Sequence, residues 1–236
     1  MIYKYRPAYQ RGTAEHGWLH ARFTFSFANY YDPDHCGFHS LQVMNNDVIE
    51  PGGGFPTHPH RDAEIFTYLL SGRLEHRDSM GNGSVMEAGD LQYMSAGEGV
   101  QHSEFNPSDS EKTELYQIWM RPNQGGGKPR YAQKKLTTEN FANKMNLLFS
   151  GDGRGDSIEI RQDAEVSIVR LQTGENFNWK PNPGLPNLWI QLIEGEITVN
   201  EQKLHKADGL GIEDMDKELR FDAFCPSKLL VLSLTD

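Results

Sequence analysis

The feature that most restricts the fold of this chain is its punctuation. Short runs of β-branched, aromatic and aliphatic residues recur between glycine, proline and aspartate turns, among them Ile65 to Leu70, Leu91 to Met94, Leu115 to Met120, Ser167 to Leu171, Leu188 to Ile193 and Leu229 to Leu234. Runs of that length and composition favour strands, and few windows hold a long 3.6-residue period. Many short strands separated by tight turns confine an all-β chain to a sandwich or barrel. An internal match narrows this further. Tyr68 to Leu74 matches Gln191 to Ile197 at an offset of 123, and Ala88-Gly89-Asp90 matches Ala207-Asp208-Gly209 at an offset of 119. Each unit reads strand, glycine turn, strand, second Gly/Asp turn, the pattern of two tandem β-barrels of one type with few short helices.

Composition sets the outer limits. The 236 residues carry 23 Lys and Arg against 33 Asp and Glu, a net charge of −10. No nucleic-acid partner is expected, because phosphate binding needs a dense basic face. The exception to the acidic balance runs from Arg121 to Lys144, with six basic residues, one acid, Gly125 to Gly127, Pro122 and Pro129. Gly and Pro clusters of this kind punctuate structure, so residues 122–145 are expected to be a linker, with a short helix around Thr138 to Lys144. An N-terminal barrel is then expected over residues 1–121 and a C-terminal barrel over 146–236. A chain of this mass buries about 70% of its surface on folding and needs no staple. Cys36 and Cys225 form no CxxC, no apolar leader opens the chain, and no run approaches a membrane span. The expected location is cytoplasmic, with no disulfide and no membrane partner.

Two short constellations carry chemistry. The first is Gly52, His58-Pro59-His60 and Glu64; the second is Gly97-Glu98-Gly99 followed by His102-Ser103-Glu104. Residues two apart in a strand share a face, so each pair can lean onto one ion. Glu64 would join that face if the strand ran unbroken past His60, and Glu104 joins it beside His102; spacing alone leaves both carboxylates open. Imidazole with carboxylate suits Fe, Mn, Ni, Cu or Zn better than Mg or Ca. Of the other histidines, His16, His20, His35, His39 and His205 read as structural or exposed, and His76, in Glu75-His76-Arg77-Asp78, as the exception, either a pocket group or one that sits behind a ligand. No Gly-x-Ser-x-Gly elbow, dinucleotide glycine motif or calcium loop is present.

The two constellations resemble the two cupin motifs. More closely, the chain is similar to the pirin family of bicupins, of the bacterial kind associated with quercetin 2,3-dioxygenase activity. The segments that carry the resemblance are Thr24 to Pro33, Thr57 to Asn82, Met94 to Asn106 and Leu115 to Pro122. The second half resembles the family only loosely. The resemblance implies one divalent transition metal in the N-terminal barrel, Fe(II) by preference and Zn, Ni, Mn, Co or Cu as alternatives. It implies His58, His60, His102 and Glu104 as ligands. Glu104 is also the expected catalytic base, and Glu64 a hydrogen-bond acceptor that orients a ligating imidazole. The implied reaction is opening of a flavonol or other small aromatic enol by O₂ with release of CO. The alternative within the family is a metal-binding regulator with a protein partner. The C-terminal half is expected to hold no metal: the offsets carry His58 to Pro181, His60 to Pro183, His102 to Phe221 and Glu104 to Ala223.

Overall fold

The expected strands form and assemble into four sheets. The computed structural model describes residues 1–136 and 143–235, and most of the helix expected around Thr138 to Lys144 lies outside them. The chain divides into two units, one of Gly12–Gly37 and Leu41–Leu136, the other of Met1–Arg11, Phe38–Ser40 and Thr137–Asp236.

In the first unit a seven-stranded sheet runs in the order β12 (Arg130–Lys135), β9 (Asp90–Ser95), β6 (Glu64–Ser71), β11 (Thr113–Met120), β4 (Leu41–Ile49), β3 (Leu19–Phe23), β2 (Gly12–Glu15). A four-stranded sheet runs β5 (Gly54–His60), β10 (Val100–Phe105), β7 (Arg73–Asp78), β8 (Gly83–Glu87). The second unit repeats this plan. Its larger sheet is β1 (Ile2–Arg6), β20 (Gly209–Glu213), β17 (Asn187–Glu194), β22 (Ser227–Leu234), β15 (Ala164–Leu171), β13 (Asn146–Ser150), β14 (Ile158–Glu159). Its smaller sheet is β16 (Asn176–Trp179), β21 (Leu219–Ala223), β18 (Glu196–Val199), β19 (Gln202–His205). The architecture is that of two tandem cupin barrels. Among the described residues the helical segments are two three-residue 3₁₀ turns, Ala8–Gln10 and Arg154–Asp156. None is long and apolar enough to cross a membrane.

The domain limits differ from the expected ones at both ends of the first barrel. Strand β1, expected in the N-terminal barrel, pairs with β20 at the edge of the second, with Tyr3 opposite Ile212. Strand β12, inside the expected linker, pairs with β9 and closes the first barrel's larger sheet, with Tyr131 opposite Met94. Both are edge strands joined by backbone hydrogen bonds. Such pairing leaves little mark on local composition, whereas the Gly and Pro that precede β12 do.

The glycines of the internal match are required by geometry. Gly72, between β6 and β7, has φ +75°, and a Cβ there would lie 2.4 Å from the Lys112 carbonyl oxygen. Gly195, between β17 and β18, has φ +96°, and its Cβ would lie 2.1 Å from Ser227 Oγ. Only glycine takes such a turn without strain and also admits so close a neighbour. Strand alternation then fills each interior. Leu19, Phe23, Ile49, Leu69, Leu74, Met86 and Leu115 form one cluster in the first barrel. Ile190, Leu192, Leu210, Leu219, Phe221 and Val231 belong to the core of the second. Alternate positions on the first barrel's inward faces are polar: Asn45, Thr67 and Gln117 lie in register on β4, β6 and β11, all buried.

Candidate metal centre

His58 and His60 of the first constellation lie on β5, an edge strand, where Pro56 and Pro59 forfeit no central ladder hydrogen bond. Strand β10 pairs with it antiparallel, placing His58 opposite His102. Alternation brings His60 to the same face. The ring centroids lie 4.7 Å apart for His58 and His60, 4.5 Å for His58 and His102, and 4.9 Å for His60 and His102. One ligand atom from each of the three falls within 4.8 Å of the others.

The hydrogen bonds decide which nitrogen each ring offers. His58 Nδ1 lies 2.8 Å from the Pro56 carbonyl oxygen. A carbonyl only accepts, so Nδ1 carries the proton and Nε2 the lone pair. That Nε2 is 3.1 Å from His102 Nε2. Two nitrogens at right angles on one ion, each about 2.1 Å from it, stand about 3.0 Å apart. His60 Nε2 is buried and has no hydrogen-bond partner. Burial, with the nearby His58, pushes His60 down to about 4. Burial also pushes His102 down to about 2, with His58, His60 and His76 adding to it. Both rings are therefore neutral at pH 7, the form that ligates a metal. These orphaned, converging donors fit a transition metal ion.

Glu104 sits at the edge of this group. A register shift lies between His102 and Glu104, so that Glu104 stands opposite Phe55, and a bulge of this kind re-aims side chains. Glu104 groups with His102 and His76, again within 4.8 Å, and not with His58 and His60. Its Oε2 accepts from Gln117 Nε2 at 3.1 Å, while Gln117 Oε1 accepts from Thr67 Oγ at 3.0 Å. Its Oε1 is buried without a partner. Burial and then Asp47 push the Glu104 carboxyl up to about 7.

Glu64 does not take the place expected for it. The strand ends at His60, Asp62 takes φ +50° in the turn, and Glu64 opens the next strand, β6, in the other sheet. There it accepts from Tyr93 Oη at 2.5 Å and Ser95 Oγ at 2.6 Å. It lies on the face of β6 opposite to Thr67, as strand alternation requires, and these bonds are to hydroxyls instead of an imidazole. His76 lies behind His102. Its Nδ1 is 3.4 Å from His102 Nδ1 and its Nε2 is 3.1 Å from Asp78 Oδ2. Burial acts to raise the Asp78 carboxyl, but hydrogen bonds from Asn82, His76 and Met80 hold it below the usual carboxylate range.

Three participants escape the sequence reading. Asp78 follows His76 by two, the same i, i+2 signal that joins His58 to His60, and was legible in that sense. Trp119, whose ring meets His60 edge-on at 4.8 Å, and Tyr131, stacked on His76 at 4.9 Å, come from strands distant in the chain. Solvent reaches the group past the half-buried His58 and His60, and an open cleft of 770 Å³ borders His60, Arg61 and Gln101.

The same lattice positions in the second barrel are apolar. Phe221, to which the offset carries His102, stands opposite Phe177, and the two rings stack at 4.8 Å. On its other side Phe221 stands opposite Val199, as Glu104 stands opposite His76. Ile190 stands opposite Val231 as Thr67 stands opposite Gln117. Among the described residues, both clusters of three or more metal-type side chains lie in the first barrel.

Residues 4–120 match the Pirin family, and residues 147–234 match the quercetinase C-terminal cupin domain. The quercetin 2,3-dioxygenase of Escherichia coli K12 is 44% identical over 234 residues, covering 99% of both chains. The chain belongs to the pirin family. A pirin-like protein of Caulobacter vibrioides is 39% identical over 89% of this chain and 90% of its own. The crystal structure of the E. coli bacterial pirin YhhW in complex with nickel(II) superposes with a TM-score of 0.93, at 43% identity and 99% coverage of each chain.

Proposed function

We propose that this chain is a metal-dependent dioxygenase that opens a flavonol or a related small aromatic enol with O₂ and releases CO. The observation that carries the reading is the convergence of three imidazoles, with His58 and His102 Nε2 atoms 3.1 Å apart and His60 Nε2 buried without a partner. The names of the E. coli relatives, a quercetin 2,3-dioxygenase and a nickel(II)-bound pirin, support both the reaction and a divalent metal.

His58, His60 and His102 are assigned as ligands, with Glu104 as the carboxylate that completes the set. Fe(II) is the preferred occupant, since open nitrogen and oxygen sites of this type serve O₂ chemistry; Ni, Mn, Co, Cu and Zn suit the same donors. When bound, such an ion would supply Lewis acidity to the enol oxygen, and a redox-active one such as Fe(II) would add one-electron chemistry toward O₂. The protein's own contributions follow from the geometry. His58 is locked by Pro56 so that its lone pair faces the cluster, and Trp119 packs against the His60 ring. Gln117 holds Glu104 Oε2, so Oε1 is the oxygen that would ligate the ion and, on loosening from it, accept the enol hydroxyl proton. The cleft beside His60 admits substrate from solvent.

The test is metal analysis of purified protein, anaerobic titration with quercetin, and then admission of O₂ with detection of CO and of the depside product. Stoichiometric CO supports the proposal. A flavonol that binds but never turns over across Fe, Mn, Ni, Co and Cu forms overturns it in favour of a regulatory metal protein.

A further inference from the structure

Behind His102 lies a chain of buried groups that the proposed chemistry does not use. The His76 and Asp78 side chains have no solvent exposure, and His102 is 2% exposed. Asp78 is saturated with donors. Its Oδ1 accepts from the backbone N–H groups of Met80 at 2.9 Å and Asn82 at 3.0 Å, and its Oδ2 accepts from Asn82 Nδ2 at 2.8 Å. The remaining contact to Oδ2 is His76 Nε2 at 3.1 Å. A carboxylate in that setting is an acceptor, so His76 carries its proton on Nε2 and its Nδ1 has a lone pair. The group 3.4 Å from that lone pair is His102 Nδ1, which must then be the donor. His102 is left with its lone pair on Nε2, the atom that faces His58. Each proton position follows from the one before it, starting at Asp78.

The relay is held from the side as well. Tyr131 of β12 stacks on the His76 ring with an interplanar angle of 27°. The Tyr131 hydroxyl is itself fixed by Ser84 Oγ at 2.5 Å and by Gln92 Nε2 at 3.0 Å. The imidazole is thus pinned in plane and along its axis. An acidic partner reaching a ligating imidazole through its second nitrogen fixes the tautomer and makes the ligand more basic. Here the connection runs through one additional imidazole.

We infer that Asp78 and His76 are positioning residues for the metal centre, a buried carboxylate–imidazole relay that presents His102 Nε2 to the ion and strengthens it as a ligand. The inference rests on the metal centre proposed above, and on none of the reaction assigned to it. It is tested with zinc, a diamagnetic probe, on the full chain labelled with ¹⁵N-histidine. NMR of the zinc-loaded protein is expected to place protons on His102 Nδ1 and His76 Nε2. His76→Phe keeps a ring against Tyr131 but removes the acceptor, and zinc affinity by chelator competition is expected to fall about 10–100-fold. His76→Gln, whose amide oxygen accepts a hydrogen bond, is expected to recover part of that loss. Asp78→Asn keeps the shape and removes the charge; a fall of about 10-fold is expected, and this variant carries the test alone if His76→Phe does not fold. Unchanged zinc affinity in folded variants, or a proton on His76 Nδ1, overturns the relay while leaving the metal centre intact. Wild-type protein that binds no zinc, iron or nickel overturns the metal centre itself.

Discussion

Replacing Glu104 with glutamine should stabilise the metal-free protein at alkaline pH, although it should damage the site. Glu104 is wholly buried, and burial with the nearby Asp47 raises its carboxyl from an ordinary 4.5 to about 7. The folded chain therefore keeps a proton that the unfolded chain releases. Between pH 4.5 and 7 the native state binds more protons, so stability falls as pH rises. A displacement of about 2.5 units corresponds to about 3 kcal/mol, fully expressed above pH 7 and absent well below pH 4.5. Glutamine has nearly the same shape, can accept from Gln117 and has no charge to bury. In chelator-treated protein, urea unfolding should show Glu104→Gln more stable than wild type by about 3 kcal/mol at pH 8 and by about 1 kcal/mol at pH 5. Taking the difference between the two proteins at each pH removes the titrations they share, those of His60 and His102 among them. With metal present the order should reverse, because a ligand that binds only the folded state stabilises by RT ln(1 + [L]/Kd), and the variant lacks the carboxylate. A difference that stays flat from pH 5 to pH 8 would refute the reasoning, since it would mean that Glu104 carries no buried charge in the apo protein.

Further outcomes follow from the same geometry. Glu64→Gln should leave metal content by elemental analysis unchanged, because Glu64 stands on the other sheet, where it accepts from Tyr93 and Ser95; its cost should appear as about 1–3 kcal/mol in urea unfolding. Glu104→Gln, compared under identical loading, should hold less metal and lose most flavonol turnover. Phe221→Ala should lower stability by about 3–5 kcal/mol through loss of a fully buried ring, with metal stoichiometry still at the wild-type level. Metal affinity should weaken as pH falls through 7, since the ion needs the Glu104 carboxylate that the apo protein holds protonated at lower pH; calorimetric titration from pH 6 to pH 8 checks this.

Much of the molecule was written in local patterns. Turn chemistry and strand-length apolar runs specify an all-β chain, and the match of Ser71-Gly72-Arg73 with Glu194-Gly195-Glu196 marks the repeated barrel, because positive φ and a close neighbour demand glycine at both turns. His58, His60 and His102 were legible for a similar reason: a two-residue spacing in a strand places side chains on one face whatever the rest of the fold does. Phe221 in place of a ligand likewise marked the second barrel as apolar at that position. Tertiary structure decided the rest. Only the turn after His60 moved Glu64 onto another sheet, and only strand register placed Phe177, and not Pro181, opposite Phe221. The edge positions of β1 and β12, and the placing of Tyr131 against His76, depend on backbone pairing between distant segments. Backbone hydrogen bonds have the same donors and acceptors in nearly every residue, so a sequence states which faces a strand has while the assembled sheet determines what meets them.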